Sequence, residues 1–292
     1  MIPGGDKFRH VPPVVRIPAA LADEWRHERE WLAALPGIVA QCAEQWSLEL
    51  EQPVDTPHSL VVPAGETVLK VNAPSHFEAD HEADALALWN GAGAVRLLAR
   101  DDGRRAYLCE RCRPGTPLWD TDVDELVVVA PMLARLSIEL EAAQPFRLLA
   151  DEADRWAEEL PRRNELSGRA VEPALLDYAL EVLRTVDRDA QFLVNQDLHG
   201  GNVLSAVREP WLVIDPKPLA GERELDGVAL LRNAIFTGQS LTRWLDLFAA
   251  MHLDRERVRG WGVAHALAWG WEREGRWSDD MLAAARAIRF AA

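Results

Sequence analysis

The stretch that decides the fold reads Phe-Leu-Val-Asn-Gln-Asp-Leu-His-Gly-Gly-Asn-Val-Leu at residues 192–204 and Trp-Leu-Val-Ile-Asp-Pro-Lys at residues 211–217. Asp197 and Asn202 stand five positions apart on a polar loop that follows an apolar run. Asp215 stands at the end of a second apolar run, thirteen positions after Asn202. Two short apolar runs joined by a polar segment predict a β-hairpin over this stretch.

An Asp followed five positions later by an Asn has the spacing of a kinase catalytic loop. There the Asp accepts the proton of the attacking hydroxyl and the Asn holds magnesium. An Asp just after the next strand supplies a second magnesium ligand. Oxygen ligands suit Mg²⁺, and one carboxylate has to stay off the metal to face the acceptor alcohol. The spacing alone is common and favours a polar turn whose acidic residues are there by chance, so the rest of the chain decides.

Length and composition describe a globular protein. The chain has 292 residues, of which 48% are hydrophobic and 27% charged, enough for one large domain or two lobes. A net charge of −15 argues against a nucleic-acid partner and favours small cationic substrates, although it also serves solubility. No apolar run has the length of a membrane span. Residues 1–7 lack a signal-peptide pattern, so we expect a short frayed tail in a cytoplasmic protein.

The first part of the chain predicts a small, mainly antiparallel sheet. Pro63-Ala64-Gly65 joins two β-rich runs into a hairpin, and Pro36-Gly37 ends a helical pattern. The predicted helices cover residues 19–35, 38–46 and 75–89, and the predicted strands cover 48–51, 59–62, 67–71, 94–100 and 105–110.

Lys70 lies on the second strand of that hairpin, and the helix after it carries Glu78 and Glu82. Kinases fix the lysine that binds the α- and β-phosphates by pairing it with a glutamate on the next helix. We prefer Glu82 for this role because it lies nearer the middle of the helix. Without the cluster around Asp197, an exposed strand lysine would be the simpler interpretation of Lys70.

Arg113-Pro114-Gly115-Thr116-Pro117 interrupts the chain, and beyond it the patterns are mostly helical. We therefore predict an N-terminal nucleotide-binding lobe over 1–112 and a helical C-terminal lobe over 113–292 that carries the catalytic loop and the substrate site. The predicted helices of the second lobe cover residues 122–143, 151–160 and 173–187. The fold class is α+β.

With Lys70, Glu82, Asp197, Asn202 and Asp215 in this order, the chain resembles the aminoglycoside phosphotransferases. More narrowly, it is similar to the branch of streptomycin 6-phosphotransferases and hydroxyurea-resistance kinases. The most specific stretch is Arg-Glu-Pro-Trp-Leu-Val-Ile-Asp-Pro-Lys-Pro-Leu at residues 208–219.

The resemblance implies a protein-kinase-like fold of two lobes, with ATP and Mg²⁺ as cofactors. Asp197 would orient and deprotonate the acceptor hydroxyl, and His199 would support the catalytic loop or, as an alternative, bind metal. The other implied roles are Asn202 and Asp215 for magnesium, Lys70 for the phosphates, and the backbone of Glu110 and Cys112 for adenine. The Cys109-x-x-Cys112 motif, which alone would suggest a metal or redox site, is then incidental, since no second pair exists.

Two departures from the family pattern stand out. Many relatives have His-Gly-Asp where this chain has Asn195-Gln196-Asp197, and we expect Asn195 to support the loop by hydrogen bonding. No strong glycine-rich loop precedes the first strand of the hairpin, near residues 54–59.

The resulting hypothesis is an ATP- and Mg²⁺-dependent phosphotransferase acting on a small cationic polyhydroxylated acceptor such as streptomycin, hence a resistance enzyme. Glu222, Glu224 and Asp226 would face the cationic groups of this substrate, unless they form a solvated turn. Two alternatives stay open: a kinase for another small alcohol, because the fold does not fix the acceptor, and a nucleotide-binding pseudokinase, suggested by Asn195. The choice between ATP and GTP and between monomer and dimer also stays open.

Overall fold

The computed structural model describes residues 15–141, 144–272 and 274–291. The predicted N-terminal tail lies outside these residues. The chain forms two compact units. The first unit comprises the chain up to Phe77 together with Arg96–Arg111, and the second comprises Glu78–Val95 together with the chain from Cys112 onward. No helix of the described ranges is both long enough and apolar enough to cross a membrane.

The first unit is built on an antiparallel four-stranded sheet with the order β1-β2-β4-β3. The predicted hairpin is confirmed, and it turns at Gly65, whose φ of +59° suits a residue without a side chain. The elements are α1 (Ala19–Glu24), α2 (Arg29–Trp46), β1 (Ser59–Ala64), β2 (Thr67–Asn72), β3 (Leu97–Asp101) and β4 (Ala106–Glu110).

Helix α2 differs from its prediction, because it continues through Pro36 instead of ending there. An internal proline removes one main-chain hydrogen bond. The apolar residues on both sides of it, Trp31, Leu35 and Val39, are all buried in the core of this unit. This packing outweighs the lost bond and keeps one helix.

The predicted strand over 48–51 is wrong in the strict sense, since no regular strand forms there. The segment nevertheless runs along β1, where the N–H groups of Glu51 and Val54 donate to the carbonyls of Pro63 and Val61. Pro53 lies between the two bonds and has no N–H to donate, so the pairing stays irregular.

The second unit is mostly helical, as predicted. Its helix over Arg255–Trp269 is buried on nearly every side from Val258 to Ala268 and packs against other helices of the unit. The helices are α3 (Glu82–Trp89), α4 (Glu125–Leu136), α5 (Leu149–Leu166), α6 (Pro173–Arg184), α7 (Val228–Phe236), α8 (Leu241–Ala250), α9 (Arg255–Trp269) and α10 (Asp279–Arg289). The strands are β5 (Phe192–Asn195), β6 (Val203–Ser205), β7 (Trp211–Val213) and β8 (Pro218–Gly221).

The single hairpin predicted around the catalytic loop is wrong. β5 pairs antiparallel with β8, whereas β6 and β7 form a separate short hairpin. The buried Leu193 and Val194 lie opposite Ala220 and Leu219, so β5 gains its apolar partner beyond Asp215. The two strand pairs enclose both ends of the catalytic loop, which therefore starts and ends on paired backbone.

The segment with α3 belongs to the second unit by its contacts, whereas the sequence division placed it in the first lobe. The indole nitrogen of Trp89 donates to the carbonyl of Leu136 at 2.8 Å. Val95 donates its N–H to the carbonyl of Val213 at 3.0 Å. The predicted helix over 75–89 is shortened to Glu82–Trp89, and a 3-10 turn, Phe77–Ala79, precedes it.

Candidate active site

The loop from Asn195 to Asn202 folds back on itself through its own side chains. The amide nitrogen of Asn202 donates to the carbonyl oxygen of Asp197 at 3.0 Å and lies 3.4 Å from the Asp197 Oδ2 atom. Because a carbonyl oxygen can only accept, this bond identifies Nδ2 and leaves Oδ1 of Asn202 as the acceptor. The loop thus holds a carboxylate and an amide oxygen side by side.

Asp215 is brought to this loop by the backbone of the β6–β7 hairpin. The N–H of Ile214 donates to the carbonyl of Asn202 at 2.9 Å, so Asp215 directly follows a residue bonded to Asn202. Asp215 has a φ of +50°, a left-handed conformation uncommon for a residue with a side chain. Strained residues of this kind cluster at functional sites, where the surrounding structure holds them in place.

These two residues fit a magnesium ion. An amide oxygen and a carboxylate are ligands that Mg²⁺ takes, and the remaining positions are normally filled by water and phosphate oxygens. In the part of the chain that the structure describes, no group of three or more His, Cys, Asp or Glu side chains is placed to hold a metal. Asn202 and Asp215 alone would give a metal two ligands, so the others would come from outside these two side chains.

Lys217 joins the segment after β7 to helix α3. Its ammonium lies 2.7 Å from Glu82 Oε1 and also binds Asp215 Oδ1. The side chains of Lys217 and Glu82 are 7% and 1% exposed, respectively. Burial opposes the charge, but the adjacent Asp215 and Glu82 carboxylates raise the pKa of Lys217 well above its ordinary value. The partner that the second unit provides for Glu82 is therefore Lys217, a residue to which the sequence assigned no role.

Asp197 is held by an arginine from helix α7. The Arg232 guanidinium donates to Asp197 Oδ1 at 2.9 Å, and both side chains are largely buried. A second guanidinium nitrogen lies 3.4 Å from Nδ1 of His265, and the group lies over the Trp269 ring. Burial and the nearby Arg232 lower the pKa of His265 well below its ordinary value, so a neutral ring accepts from Arg232.

His199 lies between the loop backbone and an aromatic ring. Its Nδ1 accepts a hydrogen bond from the N–H of Gly201 at 3.1 Å. Its ring stacks on Trp119 with centroids 5.3 Å apart and planes inclined by 19°. Burial lowers the pKa of His199, and the nearby Asp197 carboxylate opposes this shift. The contact with Gly201 confirms the predicted support of the loop.

Asn195 connects the loop at Asp197 to the segment at Lys217, which confirms the hydrogen bonding expected of it. Its Oδ1 accepts from the N–H groups of Asp197 at 3.2 Å and Lys217 at 2.9 Å. Its own N–H donates to Asp226 Oδ1 at 2.7 Å. Burial raises the pKa of Asp226 to about 7, although this hydrogen bond from Asn195 favours the charged form.

Two of the three acidic residues expected to face the substrate, Glu222 and Asp226, are buried and bonded within the unit. Asp226 is buried and holds the main chain of Asn195. Glu222 is also buried, and it accepts two hydrogen bonds from Arg257, both at 2.6 Å, and one from the Trp261 indole at 2.8 Å. Both carboxylates are buried in the unit. The hydrogen-bond donors around them offset the cost of removing a carboxylate from water. Glu224 is partly exposed and accepts from the N–H of Asp254 at 3.3 Å, so its role toward a substrate stays a prediction.

The other predicted cofactor residues occupy defined positions. Lys70 lies on β2 and is buried, with its ammonium 5.8 Å from the centre of the Tyr107 ring. Glu110 ends β4, where its side chain accepts from the N–H of Arg96 at 2.8 Å. Cys112 lies in the second unit, and its side chain is partly exposed.

Lys217, Arg232 and Trp119 were missed by the sequence reasoning as members of the site. The sequence held a signal for Arg232, since it is the only charged residue of helix α7, whose other residues are apolar except Asn233. A charged side chain in such a helix needs a buried partner. Lys217 and Trp119 stand out only once the fold is known.

Comparison with known proteins places the chain in a family. The model of the aminoglycoside/hydroxyurea antibiotic resistance kinases matches residues 45–280. Hydroxyurea phosphotransferase of Kitasatospora aureofaciens is 36% identical over 279 residues, covering 89% of this chain and 81% of that protein. Streptomycin 6-kinase of Streptomyces glaucescens is 33% identical, covering 87% of this chain and 89% of that protein.

Solved structures confirm the fold. Choline kinase LicA from Streptococcus pneumoniae has a TM-score of 0.60 at 14% identity, covering 87% of this chain and 97% of that one. A ternary complex of aminoglycoside phosphotransferase APH(4)-Ia with ADP and hygromycin B has a TM-score of 0.56 at 14% identity, covering 87% and 98%. The predicted α+β, protein-kinase-like fold is confirmed. Since the family model matches most of the chain and these relatives are about one-third identical over most of their length, the chain belongs to the aminoglycoside/hydroxyurea antibiotic resistance kinase family.

Proposed function

We propose that this protein is an ATP- and Mg²⁺-dependent phosphotransferase that moves the γ-phosphoryl group to a hydroxyl of an aminoglycoside such as streptomycin. The observation that carries the proposal is the junction of Asp197, Asn202 and Asp215 through the bonds Asn202–Asp197 and Ile214–Asn202. Relatives named streptomycin 6-kinase support this acceptor, and the family supports kinase chemistry. The setting that we propose is the cytoplasm.

In this proposal Asp197 accepts the proton of the acceptor hydroxyl while the oxygen attacks the γ-phosphorus. Arg232 fixes one carboxylate oxygen of Asp197, so the group has a defined direction toward the acceptor. Oδ1 of Asn202 and the Asp215 carboxylate would hold Mg²⁺, which neutralises phosphate charge when bound. Lys70 would bind phosphate oxygens, and the main chain at Glu110 and Cys112 would bind adenine.

Hydroxyurea is a second candidate acceptor. The relative that is 36% identical carries that activity in its name, and hydroxyurea offers a hydroxyl on nitrogen. Hydroxyurea is neutral, whereas streptomycin is cationic. Negative groups near the site would therefore favour streptomycin over hydroxyurea, although the phosphoryl transfer itself is the same for both.

The test is ADP release from ATP and Mg²⁺ in the presence of streptomycin, other aminoglycosides or hydroxyurea, with Asp197→Asn as the control. Streptomycin-dependent release that the variant loses supports the proposal. A variant-sensitive response to hydroxyurea alone replaces the acceptor. Tight ATP binding without turnover by any acceptor contradicts both and favours a nucleotide-binding pseudokinase.

A further inference from the structure

The protonation of the His199 ring follows from one hydrogen bond. Nδ1 lies 3.1 Å from the main-chain nitrogen of Gly201, and a main-chain N–H can only donate. Nδ1 therefore presents its lone pair, and the single proton of the neutral ring belongs to Nε2. The loop backbone thus selects one tautomer of this histidine.

The orientation of the ring is fixed as well. Trp119 stacks on it nearly parallel, and the Trp119 ring covers Gly201 so closely that a methyl group at position 201 would overlap it. The absence of a side chain at Gly201 thus allows the indole to lie against the loop. Trp119 is itself 50% exposed.

The Nε2–H group points toward Asp197 without reaching it. The distance from Nε2 to Asp197 Oδ1 is 3.8 Å, beyond an ordinary hydrogen bond. Nδ2 of Asn202 lies 3.3 Å from Nε2 but cannot accept, because it is the nitrogen that donates to the Asp197 carbonyl. Within the described ranges, this donor on a largely buried side chain therefore faces the carboxylate with no acceptor in hydrogen-bond range.

We infer that His199 is a catalytic residue whose Nε2–H donates to an oxygen of the phosphoryl group during transfer. A phosphoryl oxygen carries no proton, so it can accept from the Nε2–H group but cannot bond to Asp197 Oδ1. The acceptor hydroxyl is the group that donates to Asp197, and the separation of 3.8 Å leaves the Nε2–H group unbound by that carboxylate. This inference rests on the proposed phosphotransfer and adds to it a donor for the charge that the phosphoryl oxygens carry.

The step is balanced without proton transfer from His199. The bond from the acceptor oxygen to the γ-phosphorus forms, and the bond from that phosphorus to the β,γ-bridging oxygen breaks. ADP leaves with the electron pair of the broken bond, and Asp197 receives the acceptor proton. His199 keeps its proton and contributes a hydrogen bond only.

Two variants separate catalysis from loop support. In His199→Asn, the amide oxygen replaces Nδ1 as acceptor for the Gly201 N–H, but the donor at the position of Nε2 is lost. In His199→Gln, the longer side chain returns an N–H donor to that position. We expect kcat to fall about 100-fold in His199→Asn, with KM for ATP nearly unchanged, and to recover most of this loss in His199→Gln.

Wild-type kcat in His199→Asn overturns the inference, because loop support alone would then explain the residue. An equal loss in both variants at unchanged unfolding midpoints also overturns it. The same three proteins are compared in ATP hydrolysis, with water as acceptor, so the test survives a wrong choice of antibiotic. Nitrogen-15 NMR of labelled histidine in the wild type reads the tautomer independently of activity: a proton on Nε2 supports the inference, and a proton on Nδ1 overturns it.

Discussion

Replacing Lys217 by methionine tests the buried ion pair that joins helix α3 to the segment carrying Asp215. Methionine keeps most of the apolar stem and removes the ammonium. Glu82, which is 1% exposed, then loses a partner at 2.7 Å, whereas Asp215 is 34% exposed and can be hydrated. Because losing one partner of a buried ion pair weakens the compensation of the remaining charge, we expect the free energy of unfolding to fall by about 3–5 kcal/mol.

Near neutrality, the loss of unfolding free energy in Lys217→Met should depend little on pH. The pKa of Lys217 is raised well above its ordinary value, so its stabilising charge is fully present below that value and is lost only in strongly alkaline solution. Urea unfolding near neutral pH is therefore a suitable assay, with the change read from the midpoint at constant slope.

The matched control is the double variant Glu82→Gln/Lys217→Met. It removes both charges of the pair, so no carboxylate charge remains at position 82 that needs the ammonium, and we expect it to recover at least half of the lost stability. The reasoning is refuted if Lys217→Met unfolds within about 1 kcal/mol of the wild type, since surface ion pairs are worth no more than that. It is also refuted if the double variant is less stable than the single one.

Four further predictions concern the neighbouring residues. Asp226→Asn removes a group whose pKa is raised by burial from 3.8 to about 7. The wild type should therefore lose stability relative to the variant as the pH rises from about 4 to about 7. Urea unfolding midpoints measured at both pH values check this. Asn195→Ala leaves two main-chain N–H groups without their acceptor, costing about 1–3 kcal/mol each, and kcat in the ADP-release assay should fall with stability. Glu222→Gln should lower stability by about 3 kcal/mol, because the largely buried Arg257 loses its charged partner, while KM for the acceptor stays unchanged. A raised KM would support a substrate role. Gly201→Ala should displace Trp119 and lower kcat, which is measured beside indole fluorescence; unchanged values would contradict the close contact.

The local parts of this structure could be predicted from the sequence. The hairpin around Gly65 follows from β-rich runs and a turn, and the loop carrying Asp197 and Asn202 follows from spacing within six residues. Both depend on residues close together in the chain. The support expected of Asn195 also follows, because an amide at that place has main-chain N–H groups within two residues.

Pairing between distant segments could not be predicted in the same way. β5 pairs with β8 across the loop and the inner hairpin, and nothing in the apolar pattern distinguishes β8 from β7 as its partner. The direction in which an acidic side chain points could not be predicted for a similar reason. Glu222 looks like a solvated turn residue until Arg257 and Trp261, more than thirty positions away, are brought to it by helix α9.

The placement of the cations bears on how an acceptor is chosen. Asp197 is paired with Arg232, and Asp215 is paired with Lys217, so both carboxylates of the candidate site already have a positive partner in the same unit. Because Lys217 is shared with Glu82, the two cations offset the negative charge of the site in part. A hydroxyl needs only an acceptor for its proton, and this requirement is the same for a cationic and a neutral molecule. The family includes relatives named for streptomycin and for hydroxyurea, and a carboxylate that already has a positive partner can take a proton from either acceptor. We therefore expect the choice of acceptor to depend on groups farther from Asp197.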